Sequence, residues 1–265
     1  MSTPSALLQV MIAAARKAGR RLARDFGEVM ELQVSKKGPA DFVSAADVKA
    51  EETLVEELSK ARPGYSVLAE ERGLVEGTDK THTWIIDPLD GTTNFLHGLP
   101  HFAVTVALER EGTVVAGVTY NPVTNELFWT EKGKGAFLND RRLRVAARRQ
   151  LVDSILATGI PFAGRPGHAQ FLKELHQISQ RVAGVRRFGS AALDMAYVAA
   201  GRFDGYWERG IQAWDVAAGG LMVLEAGGTV TSADGGPFEP AGGAVCAANL
   251  DLHPHIVERL KAAAG

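Results

Sequence analysis

Cysteine occurs once in 265 residues, as Cys246, so no disulfide can form within the chain, and a disulfide-stapled scaffold is excluded. Long apolar runs are missing too: no segment approaches the roughly 18 residues of a membrane-spanning helix. Nor is there an excess of charge. Lys plus Arg number 29 and Asp plus Glu 31, for a net charge of -2. That balance removes the bulk electrostatic footprint of a nucleic-acid binder, while leaving room for a local basic patch. The seven histidines are scattered and form no Cys–His cluster, which argues against zinc. No G-x-x-x-x-G-K-[ST] motif occurs, so a nucleotide-binding P-loop is excluded. The N-terminal apolar positions are interrupted by Arg16, Lys17, Arg20 and Arg21, unlike a signal peptide, and the cytoplasm is the expected location.

What remains is a chain with ordinary globular composition, 46% hydrophobic and 23% charged. Leu7, Leu8, Met11, Ile12, Ala15, Ala18 and Leu22 recur at spacings of three and four, which predicts an amphipathic helix over 5–26. Ser44 is a candidate N-cap for a second helix running to Gly64, with Asp47 in its first turn. Strands are expected at Tyr65–Ala69 and Trp84–Ile86, then as an antiparallel meander from Phe102 to Leu138 packed on the two helices, with turns at Glu111-Gly112 and Asn121-Pro122. Beyond a basic connector at 139–150, helices and strands alternate to the end. This reads as an N-terminal α+β half, residues 1–145, and a C-terminal α/β half, residues 146–265.

The chemistry concentrates in Trp84-Ile-Ile-Asp-Pro-Leu-Asp-Gly-Thr-Thr-Asn-Phe95. A hydrophobic strand ends on two carboxylates, Asp87 and Asp90, separated by a proline that biases Asp87 toward an extended conformation. Two close carboxylates repel unless a cation sits between them. Hard divalent cations take oxygen ligands, and Mg²⁺ keeps waters for exchange; the Leu89 carbonyl offers a further oxygen. Gly91-Thr92-Thr93-Asn94 follows as a helix start, whose free N–H groups suit a phosphate. Metal ligands and an anion site within one turn point to metal-assisted hydrolysis of a phosphate ester. Glu70-Glu71 at a strand end, Asp47 and Trp214-Asp215 supply further acids. His97 and His101 read as solvated loop residues, and Asp194 as an ion-pairing or capping residue.

Asp87-Pro-Leu-Asp-Gly-Thr-Thr-Asn-Phe95 and Trp214-Asp-Val-Ala-Ala-Gly-Gly-Leu-Met-Val-Leu-Glu-Ala-Gly-Gly228 together resemble the two signatures of the inositol monophosphatase family. Val43-Ser-Ala-Ala-Asp47, Ala69-Glu-Glu71 and Gly189-Ser-Ala-Ala-Leu-Asp-Met195 fit it in order, and Arg186-Arg-Phe-Gly-Ser-Ala-Ala192 is closest to bacterial members. The resemblance implies the layered α-β-α-β-α sandwich of the sugar phosphatases, a homodimer, and two or three Mg²⁺ ions per site. It implies metal ligation by Glu70, Asp87, Asp90, Asp215 and the Leu89 carbonyl. It implies that Asp47 and Thr92 orient the attacking water, with Glu70 helping through its metal. It implies phosphate binding by Gly91 and Thr92, and substrate contacts from Asp90, Gly189, Ser190, Ala191, Glu208 and Arg186. A loop lysine, Lys36 or Lys37, is a further correspondence. The expected reaction is hydrolysis of inositol 1-phosphate. Histidinol phosphate, fructose 1,6-bisphosphate or a 3′-phosphonucleotide are rival substrates, and a partner role in transcription antitermination is a rival function.

Overall fold

The structure, a computed structural model, describes residues 3–26, 34–38 and 41–264, the side chains of 34–44 excepted. The Ser44 cap and the lysines at 36 and 37 therefore lie outside the described side chains. The first helix, α1 (Ala6–Phe26), buries Leu8, Met11, Ala15, Ala18 and Leu22. After the hairpin β1 (Val34–Gly38) and β2 (Asp41–Ser44), α2 (Ala45–Ala61) lies beside α1 and buries Leu54 and Leu58. Both helices cover one face of the large sheet.

That sheet is formed by β3 (Tyr65–Ala69), β4 (Gly73–Val75), β5 (Asp79–Asp90), then, beyond the short helix α3 (Thr92–Leu96), β6 (Ala103–Arg110), β7 (Thr113–Asn121), β8 (Glu126–Glu131), β9 (Gly135–Leu138) and β10 (Arg141–Arg142). Its order is β10-β9-β8-β7-β6-β5-β3-β4. The β3–β5 pair is parallel and the others antiparallel. The meander is therefore as expected, whereas β4 and β10, three and two residues long, are too short to leave a periodic signal.

The second sheet comes from β11 (Ile155–Thr158), β12 (Gly184–Arg186), β13 (Gly205–Arg209), β14 (Thr229–Thr231) and β15 (Ala244–Ala248), in the order β12-β11-β13-β15-β14. Between these strands run α4 (His168–Ser179), α5 (Ala191–Ala199) and α6 (Ala213–Glu225), and α7 (His253–Ala264) closes the chain. Helices α5 and α6 fill the space between the two sheets, and the last outer layer is α4 with α7. The result is a five-layer α-β-α-β-α sandwich. Because both faces of the large sheet are covered, β6 is buried from Ala103 to Leu108 without alternation. Its buried Thr105 donates to the Val118 carbonyl at 3.2 Å, so the polar group is satisfied. The approach of α6 is close: a Cβ on Gly117 of β7 would meet Ala218 Cα at 2.9 Å. No described helix is long and apolar enough to cross a membrane.

Strand β5 departs from expectation in a way that matters. It does not stop at Ile86 but runs to Asp90, so the two acids lie within the ladder, not beyond it. Asp87 pairs with Thr105 and Asp90 with Ala103, so three steps on β5 match two on β6. The extra residue is a β-bulge, and Pro88, which has no N–H, fits there. In a regular strand, residues three apart face opposite sides. The bulge returns Asp87 and Asp90 to one side.

Candidate active site

Acidic side chains from four elements meet at the end of β5. Asp87, Asp90 and Asp215 each place a carboxylate oxygen within 4.8 Å of the others, and Asp47, Glu70 and Glu71 form a second such group. Asp47 comes from the first turn of α2, Asp215 from the first turn of α6, and the glutamates follow β3. Glu51, which local sequence reasoning passed over, is 2% exposed and fixes this strand end. It accepts the Glu71 N–H at 2.9 Å and the Arg72 Nε at 2.7 Å. The adjacent cavity, of about 370 Å³, is lined by Glu70, Asp90, Gly91, Thr92, Glu208 and Asp215 among others. A larger cavity of about 590 Å³, between α1 and Trp129, holds no such group of acids among the described residues.

Each carboxylate is held locally. Asp87 Oδ1 accepts the Leu89 N–H at 2.8 Å. Asp90 Oδ2 accepts the Ser190 hydroxyl at 2.6 Å and the Ala192 N–H at 2.8 Å. Asp215 accepts the Gln212 N–H at 2.8 Å. Burial first, and then the charges of neighbouring acids, raise Asp87 and Asp215 well above the ordinary carboxylate range. Asp90 is raised by burial, against the pull of its bonds to Ser190 and Ala192. Four carboxylates act on Asp87, those of Glu70, Asp90, Asp215 and Asp47, and all raise it. An all-oxygen donor set whose members repel one another fits a hard divalent cation.

The turn after β5 adds neutral groups. Gly91 has φ 96°, a conformation that glycine adopts without strain, and a Cβ there would meet the His101 carbonyl at 3.0 Å. Helix α3 is only five residues long. Its macrodipole is correspondingly small, and the N–H groups of its first turn, beyond reach of any intrahelical carbonyl, are what can hold an anion. The Thr92 hydroxyl lies 2.9 Å from the Leu89 carbonyl and 3.5 Å from Asp47 Oδ2.

Across the cleft, Gly189, Ser190 and Ala191 lead into α5. Glu208 accepts the Tyr206 hydroxyl and lies against Gly159, where a Cβ would collide with its carboxylate. Burial pushes Glu208 up to about 7. Arg209 does not pair with it but with Glu174 at 2.6 Å and Asp234 at 2.6 Å. Arg186 is not among the residues lining the cleft: its guanidinium bonds to the Val185 carbonyl at 3.1 Å, and its neighbour Arg187 lines the cleft instead, with Arg165 and Arg209. His101 is not a solvated loop residue. Its ring lies against Phe188 and Tyr197, with Nε2 3.8 Å from the buried Asp194.

Residues 3–264 match the inositol monophosphatase family. The chain belongs to that family. An inositol-1-monophosphatase of Caulobacter vibrioides is 70% identical over 96% of this chain and 100% of its own. A protein of Pasteurella multocida named Nus factor SuhB is 44% identical over 96% of each chain. The crystal structure of the extragenic suppressor protein suhB from Bartonella henselae superposes with a TM-score of 0.94 at 56% identity, covering 97% of this chain and 99% of that one. The layered sandwich of this family member is thus shared with solved relatives, and the family is one of phosphatases.

Proposed function

We propose that this protein is a Mg²⁺-dependent phosphomonoesterase that hydrolyses inositol 1-phosphate by direct attack of water. The observation that carries the reading is the convergence of Glu70, Asp87, Asp90 and Asp215 beside the first turn of α3. These four carboxylates, with the Leu89 carbonyl, would hold two or three cations. Bound there, the cations supply an activated water and neutralise charge on the phosphoryl oxygens. The Gly91 and Thr92 amides hold the phosphate. The Thr92 hydroxyl has one proton and two acceptors in reach, the Leu89 carbonyl and Asp47, which leaves its lone pairs free to orient water. Asp47 and Thr92 are thereby the water-orienting pair, assisted by Glu70. Asp90, Ser190, Ala191 and Glu208 face the alcohol part of the ester. Residues 1–145 supply most of the metal ligands, and 146–265 supply Asp215 and the alcohol side. A homodimer in the cytoplasm accompanies this reading. The test is phosphate release from a panel of polyol, sugar and nucleotide phosphates, with Mg²⁺ and with chelator. Preference for a substrate other than inositol 1-phosphate, or indifference to chelator, contradicts it.

A second reading, a partner in a transcription complex, is favoured by the likeness to proteins named Nus factor SuhB. Capture of transcription factors by the tagged protein, undiminished by loss of phosphatase activity, would support it.

Glu208→Ala tests the alcohol side. A carboxylate there accepts hydrogen bonds from substrate hydroxyls, so kcat/KM for inositol 1-phosphate should fall by about 1–3 kcal/mol. Hydrolysis of p-nitrophenyl phosphate, which has no hydroxyls, should change much less. Since Arg209 has other partners, equal losses on both substrates would point to the broken Tyr206 contact instead.

The raised carboxylates also set a pH dependence. Asp87 and Asp215 hold their protons more tightly folded than unfolded. Their contribution to stability is therefore complete below the ordinary carboxylate range and is lost as pH rises through the raised values. With chelator present, Tm should fall as pH rises above the ordinary carboxylate range, and added Mg²⁺ should restore more at the higher pH. A thermal-shift series with a pH-independent Tm and no response to Mg²⁺ would contradict this.

A further inference from the structure

The side chain of Asn94 is 5% exposed and its Nδ2 faces three carbonyl oxygens. It donates to His101 O at 2.7 Å and Phe188 O at 2.7 Å, and lies 3.4 Å from Gly189 O. Three acceptors around one atom identify that atom as the amide nitrogen, so the orientation follows from the chemistry. The acceptors come from opposite sides of the cleft. His101 leads into β6 of the large sheet, whereas Phe188 and Gly189 precede α5. Asp90, four residues earlier, makes the contact of opposite polarity, accepting from Ser190 and Ala192. Residues 90–94 thus grip residues 188–192 at two points, one accepting and one donating. Where the segments cross, both chains turn on glycines of positive φ, Gly91 and Gly189, and approach closely. A Cβ on Gly91 would lie 3.3 Å from Gly189 O, and one on Gly189 3.3 Å from Asn94 Nδ2.

The two grips are not equivalent. Asp90 is a proposed metal ligand, and its carboxylate must serve a cation as well as α5. Asn94 has no such second duty. We infer that Asn94 is a positioning residue that fixes the register of the Gly91–Thr92 turn against the Ser190–Ala191 end of α5, and so the distance between the phosphate and alcohol sides of the site. The inference rests on the phosphatase reading above. An ester whose alcohol reaches α5 depends on that register. An ester held by its phosphate alone depends on it far less.

Asn94→Leu keeps the branched heavy-atom skeleton and removes both donated bonds, and Asn94→Ser, which is smaller, serves if the leucine variant does not fold. Steady-state kinetics at saturating Mg²⁺ on inositol 1-phosphate and p-nitrophenyl phosphate, with hydrogen exchange of the 186–195 segment, read the effect. The kcat/KM for inositol 1-phosphate should fall about tenfold or more, and that for p-nitrophenyl phosphate less than about threefold. Exchange at 189–192 should quicken about tenfold. Equal losses on the two substrates, or unchanged exchange, would overturn the inference and leave Asn94 a simple stabiliser of the fold. Wild-type protein that releases phosphate from neither substrate would defeat the phosphatase reading instead, and the exchange measurement would still decide whether Asn94 holds the two segments together.

Discussion

Asp87→Asn should abolish nearly all phosphate release while the protein stays folded. The substitution changes little volume and removes one ligand charge from the centre of the acidic group. Cations in such sites supply several kcal/mol of transition-state stabilisation, so the loss should exceed roughly a hundredfold in kcat. The same change has the opposite sign for the metal-free fold. Asp87 is 1% exposed and four carboxylates act on it, so removing its charge relieves repulsion. The chelated variant should therefore melt no lower than chelated wild type, and its gain in Tm on adding Mg²⁺ should shrink. Near-normal turnover, or an undiminished Mg²⁺ response, would remove Asp87 from the ligand set.

The second large effect belongs to the hydroxyl of Thr92. Thr92→Ala keeps the backbone N–H proposed for phosphate and deletes the group between Leu89 O and Asp47 Oδ2. If that group orients water, kcat should fall by roughly 10² or more with a smaller change in KM. Asp47→Asn should behave alike, and the double variant should be little worse than either, because residues acting as a unit are not additive. A raised KM with kcat preserved would instead assign Thr92 to binding.

Much of this was legible in local sequence. The three-and-four spacing of α1, the meander and the alternation after residue 150 depend on near neighbours, and they emerge as expected. The D-P-L-D motif marks two carboxylates in the sequence, but the bulge that turns both to one side depends on pairing with β6. The missing parts depend on contacts far along the chain. Glu51 bonds residues 20 and 21 positions away, and Asn94 reaches Phe188, 94 positions on. No periodicity announces either. His101 read as a loop residue because Phe188 and Tyr197, which cover it, are distant in sequence. Arg186 and Arg187 are adjacent and alike, and only the end of edge strand β12 decides which one lines the cleft.

The bulge in β5 makes chain length unequally free along this protein. One residue inserted or lost between Asp87 and Asp90 would send one carboxylate to the opposite face of the sheet, and no exchange of side-chain type could undo it. At the exposed β6–β7 turn, Glu111-Gly112, the same event only lengthens a loop, at an entropic cost that grows slowly with length. Insertions and deletions should therefore gather at the hairpin tips as such chains diverge. The count of residues from one aspartate to the other should be inherited as strictly as the aspartates themselves.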